Sequence, residues 1–157
     1  MARFAGRTKG GLVGRSRKGN GTTVLVLMVG DCTPVGAVIT PANEHESRHI
    51  ERLVVSAVVE LPVNNQLLYD EVADSGPLRE RLAEQNIDLI CPHRASRVKP
   101  PTQDGGKLRR CRHRWQVERT NAWLHNYRRI VLRKDRLPVR FLGCVQLACQ
   151  FTILKSF

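Results

Sequence analysis

Apolar residues along this chain fall first into two runs. Thr22 to Val29 is β-branched and aliphatic, Gly30-Asp31-Cys32-Thr33-Pro34 is turn chemistry, and Val35 to Thr40 is a second run of the same kind. This pattern predicts a β-hairpin. Both runs are almost wholly apolar instead of alternating, so the hairpin is expected to be buried on both faces, as in a helix-covered sheet. Asn43 then reads as a cap, and Ile50, Leu53, Val54, Ala57 and Val58 recur at helical spacing up to about Val59. Pro62 to Asn65 breaks that period, and Gln66 to Asp70 is a short apolar strand ending in an acid. Ser75 or Gly76 opens a second helix through about Gln85, with Pro77 and Glu80 just inside its start. Ile87 to Cys91 is a further strand, stopped by Pro92. After a loop from His93 to Lys107, a helix is predicted over about Leu108 to Arg129. A last helix follows Pro138, apolar on most sides and expected to close the core. The order strand, strand, helix, strand, helix, strand predicts an α/β fold, a mixed sheet with helices packed against it.

The first twenty-one residues hold six glycines interleaved with basic residues and show no apolar period. They read as a loop or arm, so the expected organisation is an arm over 1–21 and one domain over 22–157. A phosphate-binding P-loop is excluded, because no strand is expected before these glycines and no Gly-Lys-Ser/Thr closes them. The most apolar stretch, Phe141 to Leu154, is interrupted by Gln146 and Gln150 and is shorter than the roughly 20 residues of a membrane span. The chain of 157 residues has room for one modest core.

Charge divides the chain. The formal net charge is +12, yet residues 20–91 carry eleven acids against four basic residues, while 92–140 carry fifteen basic residues against three acids. A block that is basic and rich in arginine favours a polyanionic partner, since Lys and Arg release condensed counterions from phosphates and the arginine fork grips them bidentately. The bland alternative is a solvated basic face. Five cysteines without a C-x-x-C pair, and no secretory signal, read as a reducing cytosol. Cys91, His93, Cys111 and His113 make a zinc site conceivable, but the spacing is not that of the usual ligand sets.

Two acids are placed for chemistry: Asp70 at a strand end and Glu118 on a helix after the basic loop. Carboxylates from separate elements converge on hard divalent cations, and two such ions activate water and stabilise a leaving oxygen in phosphodiester displacement. The competing reading makes Asp70 a turn residue and Glu118 a salt-bridge partner. The string Cys111-x-x-Arg114-x-x-x-Glu118-Arg119, followed by Ala122-Trp123-Leu124 and Arg128-Arg129, is more specific. It resembles the DDE transposases of bacterial insertion sequences, of the insertion sequence 5 type within the wider insertion sequence 4-like superfamily. There the signature runs Tyr, two residues, Arg, three residues, Glu, six residues, Lys. Arg114 and Glu118 fit it, Cys111 stands at the Tyr position and His125 at the Lys position. Lys9-Gly10-Gly11, Asp74 to Arg79, Ile90 to Arg94 and Phe141-Leu142-Gly143 match as well, so the resemblance covers almost the whole chain. On one helix Arg114 and Glu118, four apart, share a face.

The resemblance implies a ribonuclease-H-like mixed sheet and metal-dependent cleavage and joining of DNA at insertion-sequence ends. Asp70 and Glu118 would hold Mg2+ or Mn2+ in a two-ion site, Arg114 would orient Glu118, and Arg109, Arg110, Arg112, Arg119, Arg128, Arg129, Arg133 and Lys134 would bind DNA. Relatives carry a first acid on the strand before the glycine-rich loop. No Asp or Glu precedes Asp31 here, and Asp31 reads as an ordinary turn residue. The expectation is therefore an N-terminally truncated chain that lacks the central strand or keeps a stub of it, impaired as an enzyme and marginally stable. The alternative is a non-enzymatic DNA-binding module or regulator derived from a transposase. An RNA-packaging protein fits the charge but neither the acidic middle nor the signature. The implied partners are DNA and a dimer mate, either a second copy or a full-length transposase, with no membrane, in the cytoplasm beside the nucleoid.

Overall fold

The computed structural model describes residues 2–7, 9–30, 32–98 and 100–155, and of residues 2–4 the backbone alone. It is a mixed α/β structure made of two compact units, residues 1–59 with 116–157 and residues 60–115.

The larger unit is built on an antiparallel sheet. The predicted hairpin forms as β3 (Gly19–Val29) and β4 (Thr33–Pro41), with a register shift between Leu27 and Met28. Its turn residue Asp31 lies outside the described residues. The other edge of β3 is paired by β1 (Ala2–Gly6), whereas β2 (Gly14–Ser16) pairs residues 19–21 of β3 on the edge that β4 takes further along. This differs from the arm read over residues 1–21. Glycine and arginine lower strand propensity, but the open edge of an apolar central strand offers a row of donors and acceptors that must be satisfied, and pairing overrides propensity. Ala5 is fully buried in the core.

Both faces of the hairpin are covered, as its continuous apolar runs require. Val24, Val26, Ala37 and Ile39 pack with Phe141, Val145, Ala148 and Cys149 of the last long helix (Pro138–Leu154). Leu25, Leu27 and Val38 are buried too, and α1 (Ile50–Val55) packs against β3 and β4. This first helix is shorter than its apolar period suggested. A 3-10 turn at Glu46–His49 precedes it, capped by His45 and not Asn43. Asn43 is set against Gly14, which leaves no room there for a Cβ. The helix stops at Ser56, whose Oγ donates to Leu53 O at 2.6 Å. A Cβ on Gly36 would lie 2.8 Å from the Ser56 Oγ.

The smaller unit is a βαβ crossover: β5 (Asn65–Leu68), α2 (Gly76–Glu84) and β6 (Ile87–Ile90), with the two strands parallel and in register from Asn65↔Ile87 to Leu68↔Ile90. Leu78 and Leu82 of α2 are buried beneath it. These boundaries match the pattern of the sequence to within two residues.

The stretch expected as one helix from Leu108 to Arg129 is instead four pieces. They are α3 (Gly105–Leu108), a 3-10 segment over Arg109–Arg114, α4 (Trp115–His125) and α5 (Arg128–Val131), and the helix after Pro138 is α6. Among the described residues no helix is long and apolar enough to cross a membrane.

Candidate functional site

Asp70 sits two residues past the carboxyl end of β5. Tyr69 N donates to Ile90 O at 2.9 Å, which carries the parallel pairing one residue further. Asp70 then caps a 3-10 turn (Glu71–Ala73), its Oδ1 accepting from Val72 N at 3.2 Å. Ligand-bearing residues of open α/β sheets collect at this end of the strands.

Glu118 lies exposed in the first turn of α4, in the larger unit, whereas Asp70 and Arg114 belong to the smaller one. Arg114 closes the 3-10 segment before α4 and does not share a regular α-helix with Glu118. Cys111 is half-buried in the 3-10 segment and His125 is exposed at the end of α4.

Of the basic residues expected on DNA, Arg109, Arg110, Arg112, Arg119, Arg128, Arg129 and Lys134 are exposed. Arg133 is not. Its side chain is buried at 2% exposure and is used inside the protein. Arg133 Nε donates to Asp135 O at 3.0 Å and Nη2 to Arg136 O at 3.2 Å, Nη1 donates to Leu12 O and Thr22 Oγ1, and the guanidinium lies 5.1 Å from the Phe141 ring centroid. Burial, and Arg7 beside it, lower its pKa. Sequence gives a run of arginines, and only packing decides which of them turns inward.

The most densely bonded polar group of the smaller unit was not assigned a role by sequence. The Asp74 carboxylate is 2% exposed. Its Oδ1 accepts from Arg97 Nη1 at 2.7 Å, His93 Nδ1 at 3.2 Å and Arg79 Nη2 at 3.3 Å, and its Oδ2 from Arg94 N at 3.2 Å. Burial pushes the carboxyl up, but the Arg94 amide, Arg97, His93 and Arg79 together hold it down at about 2. His93 Nε2 accepts from Thr102 N at 3.2 Å, so Nδ1 carries the proton that Asp74 receives. Arg79 also donates to Leu89 O and Cys91 Sγ, and Arg94 to Glu71 O and Val72 O. The cluster thus ties the turn after Asp70 to the loop after β6. Its signal was present in the matching strings Asp74 to Arg79 and Ile90 to Arg94.

The same contacts leave no zinc site on Cys91 and His93. Both His93 nitrogens are engaged, and burial pushes the Cys91 thiol up to about 11. None of the five cysteines is in a disulfide.

A family model described as a transposase DDE domain matches residues 10–149. The chain belongs to this family. A protein described as a transposase for insertion sequence element IS402 of Burkholderia cepacia is 28% identical over 138 residues, which are 83% of this chain. The chain spans 62% of that relative's length. No solved structure matches significantly.

DDE transposases generally use divalent metal. Among the described residues no group of three or more His, Cys, Asp or Glu side chains gathers to hold an ion. Within each unit, then, the donor set does not amount to the closed oxygen cage that a hard cation takes. Asp70 offers a carboxylate in one unit and Glu118 another in the other.

Proposed function

We propose that this chain is the catalytic domain of a DDE transposase of the insertion sequence 5 type, with a ribonuclease-H-like fold acting on DNA at insertion-sequence ends. Family membership supports the class. The observation that carries the reading further is Asp70, a carboxylate just past the carboxyl end of β5 in a βαβ unit. Asp70 and Glu118 are assigned as the catalytic, metal-holding acids and Arg114 as the residue that orients Glu118. The exposed arginines around Glu118 are the phosphate contacts.

The chain contains no acid before Asp31. With two carboxylates where the family mechanism uses three, it is expected to be severely impaired when it acts alone. A magnesium-dependent nicking assay on supercoiled DNA tests the assignment. Weak nicking that disappears in Asp70→Asn and Glu118→Gln is the expected result, and equal activity in all three proteins sinks the catalytic claim.

A second reading is favoured by the exposed run Arg109, Arg110 and Arg112: a DNA-binding module that acts without chemistry, as a regulator or a partner of a complete transposase. Such binding falls steeply with salt and survives chelation. Charge reversal at these three arginines should abolish it. Binding that persists after reversal removes them from the interface.

A further inference from the structure

A single peptide group joins Arg94 to the Asp70 carboxylate, all of it inside the smaller unit. Asp70 Oδ1 accepts from Val72 N at 3.2 Å. That N–H belongs to the peptide whose oxygen is Glu71 O, and Arg94 Nε donates to Glu71 O at 3.1 Å. A peptide is planar, so a donor that holds its oxygen also fixes the direction of its N–H. Donation to the oxygen polarises the group as well and makes the N–H a stronger donor. Arg94 Nη2, on the same edge of the guanidinium as Nε, donates to the next carbonyl, Val72 O, at 2.8 Å. One rigid fork therefore grips two successive carbonyls, which the single ammonium of a lysine cannot do.

The turn needs such a grip. It is a 3-10 segment of three residues, Glu71–Ala73, whose own bonds are Ala73 N to Asp70 O and Asp74 N to Glu71 O, both at 3.1 Å. So short a segment gains little from its internal hydrogen bonds and takes its geometry from outside contacts. Arg94 is in turn anchored by its main chain, since its backbone N donates to Asp74 Oδ2 at 3.2 Å. The Arg94 side chain itself is exposed. Replacing it leaves all four donors on Asp74 in place and removes only the fork on the turn.

We infer that Arg94 is the positioning residue of Asp70: through the Glu71–Val72 peptide it sets the rotamer of the carboxylate, with Oδ1 turned to Val72 N and Oδ2 left for a ligand. What the positioned carboxylate is for rests on the proposed function, whereas the coupling itself requires no strand cleavage.

The test compares the whole chain with Arg94→Lys and Arg94→Ala in two measurements. Amide hydrogen exchange, followed by NMR without DNA or metal, should show Val72 exchanging about tenfold faster in both variants, with the β5–β6 ladder amides and the melting temperature unaltered. In an Asp70→Ala background, which has no acceptor for Val72 N, Arg94→Lys should add nothing further. Magnesium-dependent nicking of supercoiled DNA should fall about tenfold in kcat in both variants, while the DNA concentration for half-maximal nicking stays within about a factor of two. Unchanged Val72 exchange in Arg94→Lys overturns the coupling. Full nicking by Arg94→Lys, with weaker DNA binding by Arg94→Ala, overturns it in favour of a phosphate contact, because lysine keeps the charge and loses the fork. Val72 exchange reads the coupling whether or not the chain nicks DNA, so nicking that is indifferent to Asp70→Asn overturns the proposed function separately, and with it the catalytic purpose of the positioning.

Discussion

Asp74 and Arg133 show how much a single charged side chain depends on what surrounds it. Asp74 receives four donors while almost fully buried. Asp74→Asn should therefore lower stability by about 2–3 kcal/mol at neutral pH, because Arg79 and Arg97 lose a buried anion; urea denaturation measures it. The sign with pH follows from the shift. The folded carboxyl is depressed from 3.8 to about 2, so its stabilisation is complete above the unfolded value and disappears as pH falls through the folded one. On the order of 2 kcal/mol should be lost in that acid window, and Asp74→Asn should remove that part of the pH dependence. Arg133 makes a contrasting case. Arg133→Met leaves Thr22 and several carbonyls short of a donor and should cost about 1–3 kcal/mol with little change in DNA affinity. Arg128→Gln and Arg129→Gln, at exposed positions, should weaken DNA binding and leave the melting temperature unaltered. Weaker binding by Arg133→Met at unchanged stability would place that residue on the surface after all.

Among the elements, β1 and the segment around α4 depart most from the local pattern. β1 has a composition that reads as an arm, yet it pairs with β3 along five residues and buries Ala5. Ala5→Lys should destabilise the chain by about 2–3 kcal/mol, since a buried ammonium has no partner there. Thermal melting reads this directly, and an unchanged midpoint would mean that residues 2–6 are an arm after all. Around α4, helical propensity is good throughout and still the chain changes from 3-10 to α geometry at Trp115, then breaks between His125 and Arg128. Tyr127 and Ile130 are drawn towards the core at that break. The turn is set by burial and not by a helix breaker. The βαβ unit behaved as expected because its short strands, Asn65–Leu68 and Ile87–Ile90, and the helix between them are set off by Pro62, Pro77 and Pro92, a signal that needs no distant partner.

At the scale of the whole molecule, charge and exposed apolar surface compete. A net charge of +12 opposes self-association. Large apolar side chains nevertheless remain exposed, among them Leu147 and Leu154 on the outer side of α6 and Val55 and Val58 after β4. The pairing that β1 supplies along β3 gives that edge of the antiparallel sheet its ladder hydrogen bonds. Low solubility is expected to come from the exposed apolar side chains. Leu147→Gln with Leu154→Gln should raise the soluble concentration at moderate salt without lowering the melting temperature, because both side chains already face solvent. Static light scattering checks it, and no gain would shift the cause to unfolding.

By itself the sequence determined the α/β content, the buried hairpin, the strand, helix and strand of the βαβ unit with Asp70 after its first strand, and the split between an acidic middle and a basic C-terminal block. These features depend on hydrophobic period, turn residues and charge counts within a few neighbouring residues. It also carried the family signature around Glu118. Only the tertiary structure decided that residues 2–6 become a strand, that the helix expected from Leu108 is broken, that Arg133 turns inward, and that Asp74 gathers Arg79, His93, Arg94 and Arg97. Each of those outcomes depends on partners remote in sequence, as with Arg133 bonding Leu12 and Thr22 more than a hundred residues away. A local pattern states what a residue prefers, and burial and pairing against distant partners state what it receives.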